Sequence, residues 1–130
     1  MPDTPDHALL PAFPTMLGIV LTVTTPELVE AEWQITEAHS NRNGVLHGGA
    51  IMTLADSLGG VAAAMNLSEG QRTTTVESKT NFLRAIPLGE TVRATCTALH
   101  VGRKTAVFQI SVCRADGKVA AIVTQTQLTL

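Results

Sequence analysis

Hydrophobic and polar positions change rhythm twice along the 130-residue chain. Residues 17–24 and 28–36 are mostly β-branched or apolar. In the second run Val29, Ala31, Trp33 and Ile35 alternate with Glu30, Glu32 and Gln34, the period of two that a strand shows when one face is buried. Pro26 and its neighbours punctuate the join, so the two runs are expected to form a β-hairpin. A polar loop over residues 37–44 leads into His47-Gly48-Gly49. From Ala50 to Met65 apolar residues then occupy every side of a helical cylinder, as in a helix wrapped by other structure. Beyond a turn at 68–72 the β-type pattern returns in runs 73–82, 91–101, 105–114 and 119–128. The separators Pro87-Leu88-Gly89, Gly102-Arg103-Lys104 and Ala115-Asp116-Gly117 are short, and Asp-Gly is a hairpin signal, so neighbouring strands should run antiparallel. Two strands, one enclosed helix and four strands make an α+β fold.

The first sixteen residues hold Pro2, Pro5, Pro11 and Pro14 among Asp3, Asp6 and His7. They are expected to form a loose arm rather than a helix or an internal strand, leaving residues 17–130 as a single domain. Charged residues are 15% of the chain against about 25% in an average soluble domain, which suggests surface hidden in an oligomer. A net charge of -2 lacks the dense basic face of a nucleic-acid binder. Residues 1–71 carry one Arg against eight acids, and residues 72–130 eight Lys and Arg against three acids, so an anionic ligand should favour the second half.

Cys96 and Cys113 lie inside alternating stretches, where a thiol acts as a small hydrophobe. The longest apolar segment is interrupted by Asp56 and no export signal opens the chain, so a cytoplasmic protein with neither nucleic acid nor membrane as partner is expected. The four His and two Cys lack a paired spacing such as CxxC or HxxxH, and neither metal nor cofactor is expected.

Asp56 is the position that most calls for an explanation, because an ionised carboxylate in an apolar helix is costly unless something satisfies it. One solution is bonding to backbone donors or a hydroxyl; the other is chemistry. Nine residues earlier, His47-Gly48-Gly49 marks the start of the same helix, where orphan N–H groups and the positive end of the dipole face outward. Two glycines there let a substrate carbonyl approach the backbone, as an oxyanion hole requires, although a glycine-rich turn into a helix has the same appearance. Asn41 offers a donor and an acceptor for a water or a thioester, or simply forms a turn. His47 alone is a helix-entry residue as readily as a catalyst.

Together, Asn41-Arg42-Asn43-Gly44-Val45-Leu46-His47-Gly48-Gly49, Leu54-Ala55-Asp56 and Phe82-Leu83-Arg84-Ala85-Ile86-Pro87-Leu88-Gly89 resemble the hotdog-fold acyl-CoA thioesterases, specifically the phenylacetate-pathway (PaaI-like) type. The resemblance runs from about Phe13 to the C-terminus. It implies an antiparallel β-sheet wrapped around one long central helix, with Asp56 as nucleophile or general base. It further implies Gly48 as the backbone donor to the thioester carbonyl, His47 ordering loop and carbonyl, and Asn41 holding thioester or water. Thr75 would assist the acid, with Thr74 as the alternative register.

On one helix, Gly48 and Asp56 would stand about 12 Å apart along the axis, too far to grip one carbonyl. A two-fold dimer with antiparallel central helices would bring Gly48 of one chain beside Asp56 of the other, in keeping with the family's dimer-based assemblies, often homotetramers. Arg103, Lys104 and Arg84 are candidate contacts for the phosphates of coenzyme A, or solvated charges. The expected activity is hydrolysis of an aryl- or medium-chain acyl-CoA, phenylacetyl-CoA-like by preference, with Ala55, Leu58, Gly59, Val61 and Ala62 offering a small aliphatic face to the acyl group. A hotdog-fold acyl-thioester hydratase or dehydratase and a non-catalytic acyl-CoA-binding module are the alternatives.

Overall fold

The computed structural model describes residues 9–130; residues 1–8 of the expected arm lie outside them. The described part of the arm differs from the expectation, because Ala12–Met16 form a short helix, α1. Pro11 is its N-cap and Pro14 falls in the first turn, where backbone N–H groups have no intrahelical acceptor and a missing donor costs nothing. Thr15 tightens the turn by donating from Oγ1 to the Pro11 carbonyl at 2.8 Å. Leu10 and Pro14 are buried, so the arm is fastened to the domain.

β1 (Ile19–Thr24) and β2 (Leu28–Gln34) form the expected hairpin, and a 3₁₀ turn over Glu37–His39 opens the following loop. The central helix α2 spans Gly48–Met65, followed by β3 (Thr73–Phe82), β4 (Thr91–Val101), β5 (Thr105–Cys113) and β6 (Val119–Thr129). The sheet order is β1-β2-β4-β5-β6-β3, antiparallel at every step. The chain therefore crosses the sheet through α2, and β3 forms its second edge beside β6.

The sheet curls around α2, which touches all six strands. Trp33 of β2, Val92 and Ala94 of β4, Phe108 and Ile110 of β5 and Val123 of β6 meet Leu54, Ala55, Leu58 and Val61 in one continuous core. Alanine and glycine on the helix permit this close approach. Their abundance also misleads: α2 is not enclosed on every side, because Met52, Asp56 and Ala64 are exposed. Small residues count as apolar while presenting little area to water, so composition overstates how much of the helix must be covered.

A β-bulge interrupts β3: Thr75 pairs with Gln127 and Glu77 with Thr126, leaving Val76 over. Such an insertion re-aims side chains on the bulged strand, and here it adjoins the side chains described next.

Candidate active site

Asp56 does not pack within an apolar sheath, as the sequence led one to expect; it lies on the exposed side of α2. The preceding pair, Leu54 and Ala55, faces the sheet, and the helical period carries Asp56 round to the open side together with Thr53 and Gly60. Its satisfaction comes from β3, where the Thr75 hydroxyl donates to Asp56 Oδ1 at 2.9 Å. No such bond involves Thr74, so Thr75 is the threonine in contact with the acid.

Behind this pair stand two glutamines that the sequence reading passed over. Gln127 donates from Nε2 to Thr75 Oγ1 at 2.6 Å, and its Oε1 accepts from the Thr73 hydroxyl at 2.9 Å. Gln125 donates from Nε2 to the Asp56 carbonyl at 3.3 Å and to Thr75 Oγ1 at 3.4 Å. Both glutamines are essentially fully buried. They continue the inward phase of β6 after Ala121 and Val123, where an apolar residue would pack. Gln125 Oε1 is left without a partner among the described residues, a penalty of about 1–3 kcal/mol. Packing alone does not account for glutamine at these positions. The signal available in the sequence was their place in the alternation of β6.

These side chains edge a cavity of about 630 Å³. Its polar side is Thr53, Asp56, Ser57, Thr73, Thr74, Thr75 and Gln127, and its apolar side comes from the arm, through Leu9, Phe13 and Pro14. The aliphatic helix face expected to receive an acyl group is largely elsewhere: Ala55, Leu58 and Ala62 are core residues packed against the sheet. Those positions are small so that helix and sheet can approach. Of the set, only Val61 also borders the cavity.

Gly48 is the first residue of α2 and His47 its N-cap. His47 Nδ1 accepts from the Gly49 N–H at 2.8 Å, which places the ring proton on Nε2. The N–H groups of Ala50 and Ile51 turn back to the His47 carbonyl. The Gly48 N–H, by contrast, has no acceptor among the described residues. A Cβ on Gly48 would approach the Phe82 ring at 3.2 Å, so this donor sits at the far end of β3 from Thr75. Asn41 closes the preceding loop, its Oδ1 accepting from the Asn43 and Val45 N–H groups at 2.8 and 3.2 Å. Its side-chain carbonyl is thus committed to the turn and its amide N–H groups are what it offers outward. Within one chain the structure sets Asp56 beside Thr75 and places His47 and Gly48 near Phe82 at the opposite end of β3.

The basic candidates also divide. The Thr129 N–H donates to the Lys104 carbonyl, and Arg72 and Leu130 exchange backbone bonds. The turn carrying Arg103 and Lys104 therefore meets the end of β6, whose other side holds Arg72 just before β3, a residue the sequence reading did not single out. Arg84 does not belong to this group. Its Nη1 donates to the Val119 carbonyl at 2.6 Å, at the other end of β6 from Thr129, about 33 Å of strand away.

A family model described as the thioesterase superfamily matches residues 43–121. The proofreading thioesterase EntH of Cronobacter sakazakii is 33% identical over 102 residues, covering 78% of this chain and 74% of that protein. A crystal structure of a Haemophilus influenzae thioesterase superposes with a TM-score of 0.88 at 26% identity, covering 96% of this chain and 87% of that one. The smu.793 protein of Streptococcus mutans, solved bound to acetyl-CoA, matches with a TM-score of 0.81 at 25% identity, covering 86% and 88%. A long helix cradled by an antiparallel sheet is the hotdog arrangement these structures share. The chain belongs to the thioesterase superfamily and is a hotdog-fold thioesterase.

Proposed function

We propose that this thioesterase hydrolyses an acyl-coenzyme A to the free acid and coenzyme A, with Asp56 as the catalytic carboxylate. The observation that carries the reading is the Thr75–Asp56 hydrogen bond at the edge of a cavity, where a carboxylate oriented by a hydroxyl meets space for a ligand. The acetyl-CoA held by the Streptococcus mutans relative supports the substrate class. Arg72, Arg103 and Lys104 supply positive charge where the phosphates of coenzyme A would lie. Leu9, Phe13 and Pro14 give the acyl group an apolar wall suited to an aryl or medium-chain substituent.

As general base, Asp56 takes a proton from water while the water oxygen attacks the thioester carbonyl carbon. The tetrahedral intermediate's oxyanion is held by a backbone N–H; collapse breaks the C–S bond, and the departing thiolate recovers a proton from the carboxyl. As nucleophile, Asp56 attacks the same carbon, expels the thiolate and leaves an acyl-aspartyl anhydride for water to cleave.

The oxyanion donor is the Gly48 N–H of a second copy. β3 is an edge strand whose outer side has no partner among the described residues. Pairing two copies antiparallel about the middle of β3 sets the Thr75 end of one against the Phe82 end of the other. Asp56 of one copy then comes to Gly48 of its mate, giving two equivalent sites per dimer.

The test is release of free thiol from a panel of acyl-CoA esters by the purified protein and by Asp56→Asn. The variant should keep its affinity for acyl-CoA and lose turnover by about 10²-fold or more; full turnover would remove Asp56 from the mechanism.

A further inference from the structure

We infer that Gln127, aided by Gln125, is a positioning residue that fixes the direction of the hydrogen bond between Thr75 and Asp56. The inference rests on the reading of Asp56 as the catalytic carboxylate.

A threonine hydroxyl has one proton and can spend it on only one acceptor. Around Thr75 Oγ1 stand three groups: Asp56 Oδ1, Gln127 Nε2 and Gln125 Nε2. Two of them are donors, so they occupy the hydroxyl's lone pairs and leave the carboxylate as the sole acceptor for its proton. The Gln127 amide is held at both ends. The Thr73 hydroxyl donates to Oε1, which leaves Nε2 pointing to Thr75. Turning the amide over would place Oε1 against Thr75, where it would compete with Asp56 for the proton. Four groups from β3, β6 and α2 thus form a one-way chain from Thr73 through Gln127 and Thr75 to Asp56.

Such a chain holds the carboxylate in one rotamer and leaves Oδ2 as its free oxygen. Successive hydrogen bonds also polarise one another, and the buried Gln127 amide backs the solvent-facing bond from Thr75 to Asp56. Strand alternation puts Thr73 and Thr75 on the same face, both within reach of Gln127, and the bulge after Thr75 ends that phase. The buried, unpartnered Oε1 of Gln125 fits this assignment: its amide is oriented for Nε2, at the expense of its oxygen.

A merely structural glutamine and a positioning glutamine respond differently to Gln127→Met, which removes the amide while keeping the volume. Kinetics of thiol release and the thermal midpoint are measured for Gln127→Met, Thr75→Val, the double variant and Asp56→Asn. We expect Gln127→Met to lower kcat about tenfold, the value of one hydrogen bond in the chain, with KM within about twofold and a midpoint no lower than that of the natural protein. Because Gln127 acts through Thr75, adding Gln127→Met to Thr75→Val should cause no further loss. Full kcat in Gln127→Met, or losses that multiply in the double variant, would overturn the role, as would a loss of kcat that only tracks a fall in the midpoint. Thiol release abolished by Asp56→Asn but untouched by Gln127→Met would defeat the positioning role alone. Release retained by both variants would defeat the assignment of Asp56.

Discussion

Gly59 lies directly beneath the amide of Gln125: a Cβ placed on it would come within 2.3 Å of Nε2 and 2.9 Å of Cδ. The helix therefore gives up a side chain at Gly59 so that a buried amide can reach Thr75 and the backbone of Asp56. Gly59→Ala should destabilise the protein by about 1–3 kcal/mol, as overpacking does, and should lower kcat by displacing Gln125. At Gly60 a Cβ would meet nothing within 4 Å, so Gly60→Ala should be neutral or stabilising by up to about 1 kcal/mol. Chemical denaturation of the two variants checks the pair, and equal effects would contradict the stated contact.

Gly48→Pro removes the proposed oxyanion donor with little offence to the helix. Proline is favoured at the first helical position, and His47 has the extended backbone, φ -65° and ψ 132°, that a residue before proline prefers. The Phe82 ring must yield by a few tenths of an ångström. We expect an unchanged far-ultraviolet circular dichroism spectrum and a loss of kcat of about 10²–10³-fold, the usual consequence of deleting one oxyanion donor. A folded variant with full kcat would show that the Gly48 N–H is not the donor.

Burial pushes the Cys96 thiol up to about 12, so almost no thiolate exists at neutral pH, and the thiolate is the species that alkylates. Iodoacetamide at pH 8 should leave Cys96 unmodified in the native protein and label it after unfolding, as read by peptide mass spectrometry. Labelling of Cys96 at the native thiol's ordinary rate would contradict its placement in the core.

The turn between β5 and β6 carries the clearest electrostatic signature. A side-chain hydrogen bond from Arg114, reinforced by the Lys118 N–H, holds the Asp116 carboxyl at about 2, below its ordinary 3.8. A depressed carboxylate contributes stability that is fully present above its unfolded value and is lost as pH falls through its folded value. The midpoint difference between the natural protein and Asp116→Asn should therefore be constant above about pH 5, fall as pH drops through about 2, and vanish by about pH 1. A full-sized difference that persists at about pH 1 would assign the effect to something other than ionisation.

The architecture was legible because strand alternation and turn residues act locally. Trp33 and Ile35 declare the buried face of β2, and Asp116-Gly117 declares a hairpin. Of the proposed site, Asp56 and Gly48 could be picked out from the sequence, because an acid and a helix-entry glycine stand out against an apolar helix. Besides the expected acyl face of α2, which packs in the core, two readings failed for identifiable reasons. Alanine and glycine made α2 look enclosed on all sides, which hid the open side where Asp56 sits. The prolines of the arm suggested a loose segment without a helix, although Pro11 and Pro14 occupy positions where a helix needs no donor. Gln125 and Gln127 escaped notice because a strand's inward phase was read for apolar residues alone. Their partner Thr75 lies about fifty residues away in the chain, a pairing set by strand register and a bulge that no local pattern encodes.

The central claim is that each active site draws its carboxylate from one chain and its oxyanion donor from another, and mixing two inactive variants tests it most directly. Asp56→Asn chains and Gly48→Pro chains are unfolded together, refolded in equal amounts and assayed for thiol release. About half of the dimers should be hybrids, each with one intact site and one doubly defective site, restoring about a quarter of natural activity. Activity that stays at the level of the separate variants, in a sample where native mass spectrometry shows hybrid dimers, would contradict the shared site.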